Sequence, residues 1–370
     1  MLPPANQEKR IVVVLGMHRS GTSLLTRGLE ALGVSLGNRL LPVAEDNPKG
    51  FWEDLDINAL NVALLQALGH DWHTFTPILA SELALPLVTK FKLRALEILR
   101  ERLSGMDCFG IKDPRIPRLL PFWQDVFAHL QVEVSYIVVC RNPMSVARSL
   151  AKRNGFDLEK GYYLWLEHTL QSLVGTEHRK RIVTDYDRFL ENPVVELGRI
   201  AQGLSLTLNA SDPRVPEFTT SFLDGALRHN HYQVEDLAMD NALPPEVAIL
   251  YQALLRLAAQ PPDYYDHQVA SIIERIRAQH QEDYSALRYM ENCDNRITTF
   301  ARQVTELANT VTAQETTILN LQNEVSKLNF QLAMVYASRS WKAARLASKI
   351  FLSFKRPFAS FPSSSKADPI

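Results

Sequence analysis

The chain has 370 residues, of which 46% are hydrophobic and 22% charged, and its formal net charge is −1. This length accommodates a sizeable α/β domain with an appendage, and the balanced charge argues against a nucleic-acid partner. Three cysteines without metal-ligand spacing, Cys108, Cys140 and Cys293, indicate a reducing compartment. Neither a secretory signal nor an apolar stretch of the ~20 residues that span a bilayer is recognisable. We therefore expect a cytoplasmic protein that needs no metal.

Strand and helix patterns alternate from residue 10 to about residue 200. The predicted strands are 11–15, 108–112, 132–140 and 181–185, and the predicted helices follow residue 21 and cover 55–68, 87–103, 117–130, 143–153 and 157–176. Such alternation predicts a parallel sheet with helices on both faces. Because ligands bind beyond the carboxyl ends of the strands, the loops at 16–21, 112–115 and 141–143 are expected on one rim.

The loop after the first strand has the composition of an anion site. Gly16 and Gly21 flank it, and a helix pattern begins directly afterwards. Backbone N–H groups and the positive end of the helix dipole favour a phosphate-like group there. The side chains and backbone expected to bind it belong to Arg19, Ser20, Gly21, Thr22 and Ser23. In a nucleoside-triphosphatase P-loop, lysine would stand where Thr22 stands. The alternative is an ordinary turn in which Ser20 or Thr22 caps the helix.

A second cationic motif follows the strand that ends at Cys140. Arg141 comes directly after the strand, Pro143 begins the next helix, and Ser149 lies eight residues after Arg141. Proline suits the first helical position, and arginine binds phosphate through a planar, charge-assisted fork. We expect Arg141 and Ser149 to bind a second phosphate.

Together the two motifs resemble the family of sulfotransferases that use 3′-phosphoadenosine 5′-phosphosulfate (PAPS), and in particular its bacterial and carbohydrate-type members. Residues 16–23 resemble the 5′-phosphosulfate loop, residues 141–149 resemble the 3′-phosphate motif, and residues 182–193 are similar to a further family segment. The resemblance implies a P-loop-like α/β fold and sulfuryl transfer from PAPS to an acceptor hydroxyl or amine. Many cytosolic members have Pro-Lys where this chain has His18-Arg19, and arginine there favours a glycan acceptor.

Three residues are candidates for catalysis: Arg19, Lys112 and Glu53. Arg19 would stabilise charge that develops on the bridging oxygen. Glu53 is the candidate general base, as the resemblance to carbohydrate sulfotransferases also implies. Its alternative role is that of a charge at the start of the next helix, a position that Asp54 also suits.

Other side chains compete for roles in the same chemistry. His18 and His70 are alternative bases. Lys112 or Arg115 would hold the sulfuryl oxygens or an acidic acceptor, or would form structural ion pairs with Asp113 or Glu53. Arg228 and His229 are expected to close over the 3′-phosphate, by resemblance to a family loop.

A heptad pattern occupies residues 290–335. The a positions are Met290, Ile297, Val304, Val311, Ile318, Val325 and Leu332, and the d positions are Cys293, Phe300, Leu307, Gln314, Leu321, Leu328 and Val335. Branched a residues with leucine-rich d residues favour a parallel two-stranded coiled coil, in which one polar core residue fixes the register. We expect a homodimer. The alternative is a single amphipathic helix lying on the domain.

The last segment, residues 336–370, is basic and aromatic. It contains seven Lys or Arg residues and one Asp, interleaved with apolar residues from Trp341 to Phe361. Such a segment can lie at an anionic membrane surface, and we expect peripheral contact through 336–358. The alternative is a frayed tail.

These patterns divide the chain into four parts and lead to one hypothesis. A sulfotransferase-like α/β domain covers 1–235, a helical extension 236–289, the coiled coil 290–335 and the basic tail 336–370. The expected function is sulfuryl transfer to a saccharide or glycolipid assembled at the membrane. A P-loop kinase or other NTPase, and a catalytically inactive coiled-coil scaffold, are the rival hypotheses.

Overall fold

A computed structural model describes residues 9–44, 47, 49–209, 211–223, 232–262 and 264–354. Its elements are four strands and a larger number of α-helices, with one to four helices between successive strands. In chain order they are β1 (Arg10–Leu15), α1 (Thr22–Glu30), α2 (Leu55–Ala67), α3 (Ala80–Leu83), α4 (Val88–Leu103), β2 (Cys108–Lys112), α5 (Leu120–Leu130), β3 (Glu133–Cys140), α6 (Pro143–Asn154), α7 (Leu158–Gly175), β4 (Arg181–Asp185), α8 (Tyr186–Glu191), α9 (Pro193–Leu204), α10 (Arg214–Pro216), α11 (Pro245–Ala259), α12 (His267–Glu282), α13 (Tyr284–Ala337) and α14 (Arg339–Phe354).

The four strands form one parallel sheet in the order β2-β1-β3-β4. Val14 pairs with Lys112, and Cys140 pairs with Asp185. The carboxyl ends of all four strands therefore lie along one edge, where the loops of both cationic motifs begin. The predicted α/β fold, with a P-loop-like parallel sheet between helices, is confirmed.

Both faces of the sheet are buried. Ile11, Val13 and Leu15 belong to one apolar cluster, which also includes residues of α2, α4, α5, α6, α7 and α11, whereas Val12 and Val14 belong to a second cluster with residues of α1 and α9. Because successive side chains of a strand point to opposite faces, a continuous apolar run is what a strand covered on both sides requires.

The helix predicted at 117–130 begins three residues later than expected, at Leu120. Residues 114–119 form consecutive turns that contain Pro114 and Pro117. Pro121 then lies in the first turn of α5, where its missing N–H costs no hydrogen bond.

The helices after residue 244 belong to two different units. α11 packs against β4 and α7, and α12 packs against α11, so both belong to the compact unit that ends at Asn292. The second unit begins at Cys293 and contains most of the 54-residue helix α13, followed by α14. Among the described residues, no helix is both long and apolar enough to cross a membrane.

Candidate active site

The loop between β1 and α1 is shaped for an anion. Gly21 has a φ of 87°, and a Cβ atom added there would lie 2.1 Å from Cδ2 of Tyr186, so this position needs glycine for two reasons. Among the described residues no side chain caps α1, and its first turn contains no acid. The alternative of a loop capped by Ser20 or Thr22 is therefore not what forms here. The amino end of the helix retains its positive potential for a ligand.

The two cationic motifs are joined directly. Arg19 has a φ of 69°, and its Nε donates a 2.9 Å hydrogen bond to Oγ of Ser149. Nη1 of Arg141 donates a 2.8 Å hydrogen bond to the backbone oxygen of Arg19. A non-glycine residue with positive φ is uncommon, and such strain persists where the surroundings fix it. The expected 5′ and 3′ anion sites thus share Arg19.

Arg141 is buried in a setting that lacks a carboxylate partner in the described structure. Its guanidinium lies 4.3 Å from the ring centroid of Tyr186, and its Nε is buried without a hydrogen-bond partner among the described residues. Burial lowers the pKa of this guanidinium from its usual very high value. A buried cation with an unused donor is costly, and a bound anion would offset that cost.

Lys112 and Glu53 form a buried ion pair beside the loop. Nζ of Lys112 donates to Oε1 of Glu53 at 2.6 Å, to Oγ of Ser23 at 3.1 Å and to the carbonyl of Phe51 at 3.0 Å. Burial raises the pKa of the Glu53 carboxyl, and the charge of Lys112 opposes that rise. Asn58 donates to the second carboxylate oxygen of Glu53 at 2.8 Å. The pair is thus in contact with the loop residue Ser23.

The helix-capping role considered for Glu53 belongs to its neighbour. Asp54 accepts hydrogen bonds from the N–H groups of Asp56 and Ile57 at the start of α2, and it pairs with Arg102 at 2.6 Å. Both Asp54 and Arg102 are buried. Glu53 is therefore not needed as a cap, and its carboxylate faces the lysine instead.

A second polar network holds the residues after β2. Asp113 accepts hydrogen bonds from Asn61 at 3.0 Å and from Nη1 of Arg115 at 3.0 Å. Asn61 in turn accepts from the indole N–H of Trp123 at 2.9 Å. Arg115 also lies 3.8 Å from Oε2 of Glu53, so both predicted ion pairs of this motif occur, and Arg115 reaches the same carboxylate as Lys112.

The two candidate histidine bases have different surroundings. Burial and nearby cations, Arg115 first among them, lower the pKa of His18 well below its usual value, so this ring is neutral near pH 7. Within the part of the chain that the structure describes, its buried Nε2 has no hydrogen-bond partner, and its ring lies 4.4 Å from that of Trp72. Nε2 of His70 instead lies 3.1 Å from Glu82. Of the two, His18 has the free nitrogen, and it belongs to the anion loop.

Three aromatic residues at the site were missed from the sequence: Trp52, Tyr186 and Phe222. Trp52 and Phe222 have ring centroids 6.1 Å apart, and Arg27 lies within 6 Å of both rings, at 5.3 and 5.9 Å. Trp52 follows Phe51, whose carbonyl accepts from Ser23 at 3.1 Å. For Trp52 the sequence contained a usable signal: in the Phe-Trp-Glu run before Asp54, two aromatic residues precede the candidate base.

The remaining residues predicted for the site either lie at it or fall outside the residues that the structure describes. Ser20 is buried in the loop, Thr22 is buried in the first turn of α1, and Ser149 is half-buried. Arg228 and His229 lie outside the described residues. A cavity of about 260 Å³ lies elsewhere, at the amino end of β4, and is lined in part by Arg181 and Tyr265. That cavity is at the opposite edge of the sheet from the anion loop.

Comparisons with known proteins leave the family open. No protein-family model matches the chain, and no curated protein matches it. Among solved structures, the sulfotransferase domain from the Synechococcus PCC 7002 olefin synthase is 14% identical, with a TM-score of 0.36 over 75% of this chain and 98% of that chain. The sulfotransferase domain from the curacin biosynthetic pathway is 14% identical, with a TM-score of 0.37 over 74% of this chain and 99% of that chain. With TM-scores below 0.5 and 14% identity, neither match assigns a fold or a residue role to this chain.

Proposed function

We propose that this chain is a sulfotransferase that moves the sulfuryl group of PAPS to an acceptor hydroxyl. The observation that carries the proposal is the direct junction of the two anion motifs through Arg19, which bonds to Ser149 and accepts from Arg141. A donor with phosphate groups on both the 3′ and the 5′ carbons of one ribose needs two such sites a few ångströms apart. A nucleoside triphosphate, whose phosphates form one linear chain, does not.

The donor would lie across this junction. Its 5′-phosphosulfate would accept from the amino end of α1, from Ser20 to Ser23 and from Arg19, and its 3′-phosphate would bind Arg141 and Ser149. Arg141 supports this assignment because its buried Nε has no partner in the described structure. The ring pair of Trp52 and Phe222 offers an aromatic surface for the purine.

The reaction needs a base at the acceptor and a cation at the leaving oxygen. The acceptor oxygen attacks sulfur, the bond from sulfur to the bridging oxygen breaks, and adenosine 3′,5′-bisphosphate leaves. Glu53 takes the acceptor proton, while Lys112 and Arg19 stabilise negative charge on the sulfuryl and bridging oxygens. The raised pKa of Glu53 makes its carboxylate a stronger base than an exposed glutamate.

The proposed acceptor is a saccharide or glycolipid. The support is a half-exposed aromatic group beside the catalytic loop: Trp72 contacts His18, and its ring lies 5.7 Å from that of Phe156. Arg153 lies 5.3 Å from the centroid of Trp72. Aromatic rings beside a cation suit the apolar face of a sugar ring that carries an acidic group.

The test is a comparison of ligands followed by a transfer assay. Adenosine 3′,5′-bisphosphate is expected to raise the melting temperature, and ATP with magnesium is expected to have a much smaller effect. Stabilisation by ATP with magnesium, but not by adenosine 3′,5′-bisphosphate, would favour a kinase or another NTPase. PAPS labelled with ³⁵S is then incubated with glycan and glycolipid pools, with peptides as the comparison. Absence of transfer to every pool, together with intact binding of the bisphosphate, would favour the inactive scaffold.

A further inference from the structure

The second unit exposes a long apolar stripe on α13. We define the seam as the apolar a and d residues between Ile297 and Val335, which are Ile297, Phe300, Val304, Leu307, Val311, Ile318, Leu321, Val325, Leu328, Leu332 and Val335. Each of them is between 48% and 67% exposed. Threonines on the other sides of this helix, such as Thr305 and Thr316, donate to carbonyls four residues earlier, so their hydroxyls are satisfied within the helix. The seam, in contrast, lacks a covering surface in the described chain.

We propose that a second copy of the chain covers the seam, as a parallel coiled coil in register. The seam repeats every seven residues, with β-branched residues at most a positions and leucine at three of the d positions, a combination that favours two parallel strands. It extends for 39 residues, or about 58 Å of helix. The same helix supplies both halves of the contact, so no other partner needs to be assumed.

Gln314 decides between the two possible orientations. In a parallel pair in register, each d residue faces the same residue of the second copy, and two Gln314 amides can bond to each other. In an antiparallel pair each d residue faces an a residue, and every a position of this run is apolar. Gln314 would then be buried without a hydrogen-bond partner, which is costly. The polar layer thus favours the parallel orientation and fixes the register.

The flanks of the seam permit this register. In a parallel pair each g residue faces the e residue five positions later on the other helix. The charged residues at these positions are Asp294, Arg296, Glu315 and Glu324, and each of them faces an uncharged residue. Like charges therefore never meet across the proposed interface, and repulsion does not oppose it.

Light scattering on the full chain tests the interface. We expect twice the mass of one chain for the wild type and for the control Thr312→Asp/Thr316→Asp, which changes outward positions. The seam variant Val311→Asp/Ile318→Asp should have the mass of one chain. A wild-type monomer at micromolar concentration, or a seam variant that remains a dimer, would overturn the proposal.

Cys293 reports the orientation, because it is the first d residue of the heptad run. A short bis-maleimide should join the two copies in the wild type but not in Cys293→Ala, which controls for Cys108 and Cys140. In an antiparallel dimer the two Cys293 thiols lie at opposite ends and cannot be joined. A dimer that this reagent does not cross-link would therefore overturn the parallel arrangement.

A separate observation on α14 supports a second proposal. Ser338 separates α14 from α13, and its Oγ accepts from the N–H of Trp341 as the cap of the new helix. The sixteen residues of α14 include four cations and no acid. At helical spacing the four cations lie on one side of the helix: Arg339, Lys342, Arg345 and Lys349. Leu346, Ile350 and Phe354 form an apolar row four residues apart beside them, and all three are exposed.

We propose that α14 lies on an anionic lipid surface. A basic helix with an adjacent apolar row binds the interface by inserting that row while its cations stay near lipid phosphates. One such helix binds weakly, whereas the parallel dimer brings two of them to the same end and raises the effective concentration of the second. Residues 355–358 of the segment predicted to contact the membrane lie outside the described residues.

Vesicle co-sedimentation distinguishes charge-driven lipid binding from other causes of sedimentation. Wild-type protein should sediment with vesicles of 70% phosphatidylcholine and 30% phosphatidylserine, less with phosphatidylcholine alone, and less as salt increases. Replacing the four cations of α14 by glutamine should reduce the bound fraction at least tenfold. The matched control replaces four other exposed cations by glutamine: Lys90, Arg94, Arg302 and Lys327. Equal binding to both vesicle types, or equal loss in the control, would overturn the lipid proposal and leave the dimer standing.

Discussion

Nε of Arg19 donates a 2.9 Å hydrogen bond to Oγ of Ser149, although 130 positions separate the two residues in the chain. The contact joins the loop after β1 to the second turn of α6, and Arg141 ties the same loop from the end of β3. Two anion motifs therefore behave as one unit. Predictions about the donor follow from this junction, because a substitution in one motif should also change ligand binding at the other.

Arg141→Ala should remove the preference for a 3′-phosphate. The buried guanidinium faces that group in our proposal, and a charge-assisted hydrogen bond is worth about 1.5–3 kcal/mol, or roughly 10–100-fold in affinity. Calorimetry with adenosine 3′,5′-bisphosphate and with adenosine 5′-monophosphate measures the difference. The wild type should prefer the bisphosphate and the variant should bind both alike. A preference that survives in the variant would show that Arg141 does not bind the 3′-phosphate.

Gly21→Ala should destabilise the protein more than an equivalent change at Gly33. Both glycines have φ in the left-handed region, at 87° and 77°. A Cβ at Gly33 meets no atom of the described residues within 4 Å, whereas one at Gly21 collides with Tyr186. The strain common to both is about 1 kcal/mol, and overpacking adds about 1–3 kcal/mol at Gly21. Chemical denaturation measures both variants. Equal losses would mean that the ring of Tyr186 moves aside without cost.

Much of this site follows from the sequence, because strand ends and glycine spacing are local features. The rim, the anion loop and the spacing from Arg141 to Ser149 depend on patterns within one or two elements. The packing of Tyr186 against Gly21 and under Arg141 joins segments far apart in the chain, and no local pattern encodes it. The separate roles of Glu53 and Asp54 could not be predicted either, because the sequence allows either of them to cap α2.

Glu53→Gln and Asp54→Asn should therefore differ in their effect on the reaction rate. Glu53→Gln is expected to lower the rate of sulfuryl transfer by ~10²–10⁴-fold, the usual contribution of a general base, and to leave binding of the bisphosphate intact. It also leaves the buried Lys112 without its carboxylate partner, so the variant should lose stability as well. Asp54→Asn keeps a capping oxygen but removes a buried charge from Arg102, which should lower the free energy of unfolding by about 3 kcal/mol. Rates under single-turnover conditions and denaturation curves for both variants provide the comparison. A Glu53→Gln protein with wild-type turnover would exclude this base and direct attention to His18.

Asp185 should make stability depend on pH. Burial raises the pKa of its carboxyl to about 6, and its buried Oδ2 has no hydrogen-bond partner in the residues that the structure describes. The folded protein thus binds this proton more tightly than the unfolded chain, whose aspartate pKa is about 3.9. The resulting stabilisation is complete below about pH 4 and is lost as the pH rises through about 6.

Asp185→Asn keeps an oxygen that can accept from the N–H of Arg188, as Asp185 does at 2.9 Å, but it cannot ionise. The variant should match the wild type near pH 4 and exceed it by about 2–3 kcal/mol near pH 7.5. Asp187→Asn, two residues later, controls for the loss of a negative charge in this region. Denaturation curves across this range measure the difference. A gap between Asp185→Asn and wild type that does not change with pH would contradict the prediction, because a constant gap would reflect packing and not the ionisation of a buried carboxyl.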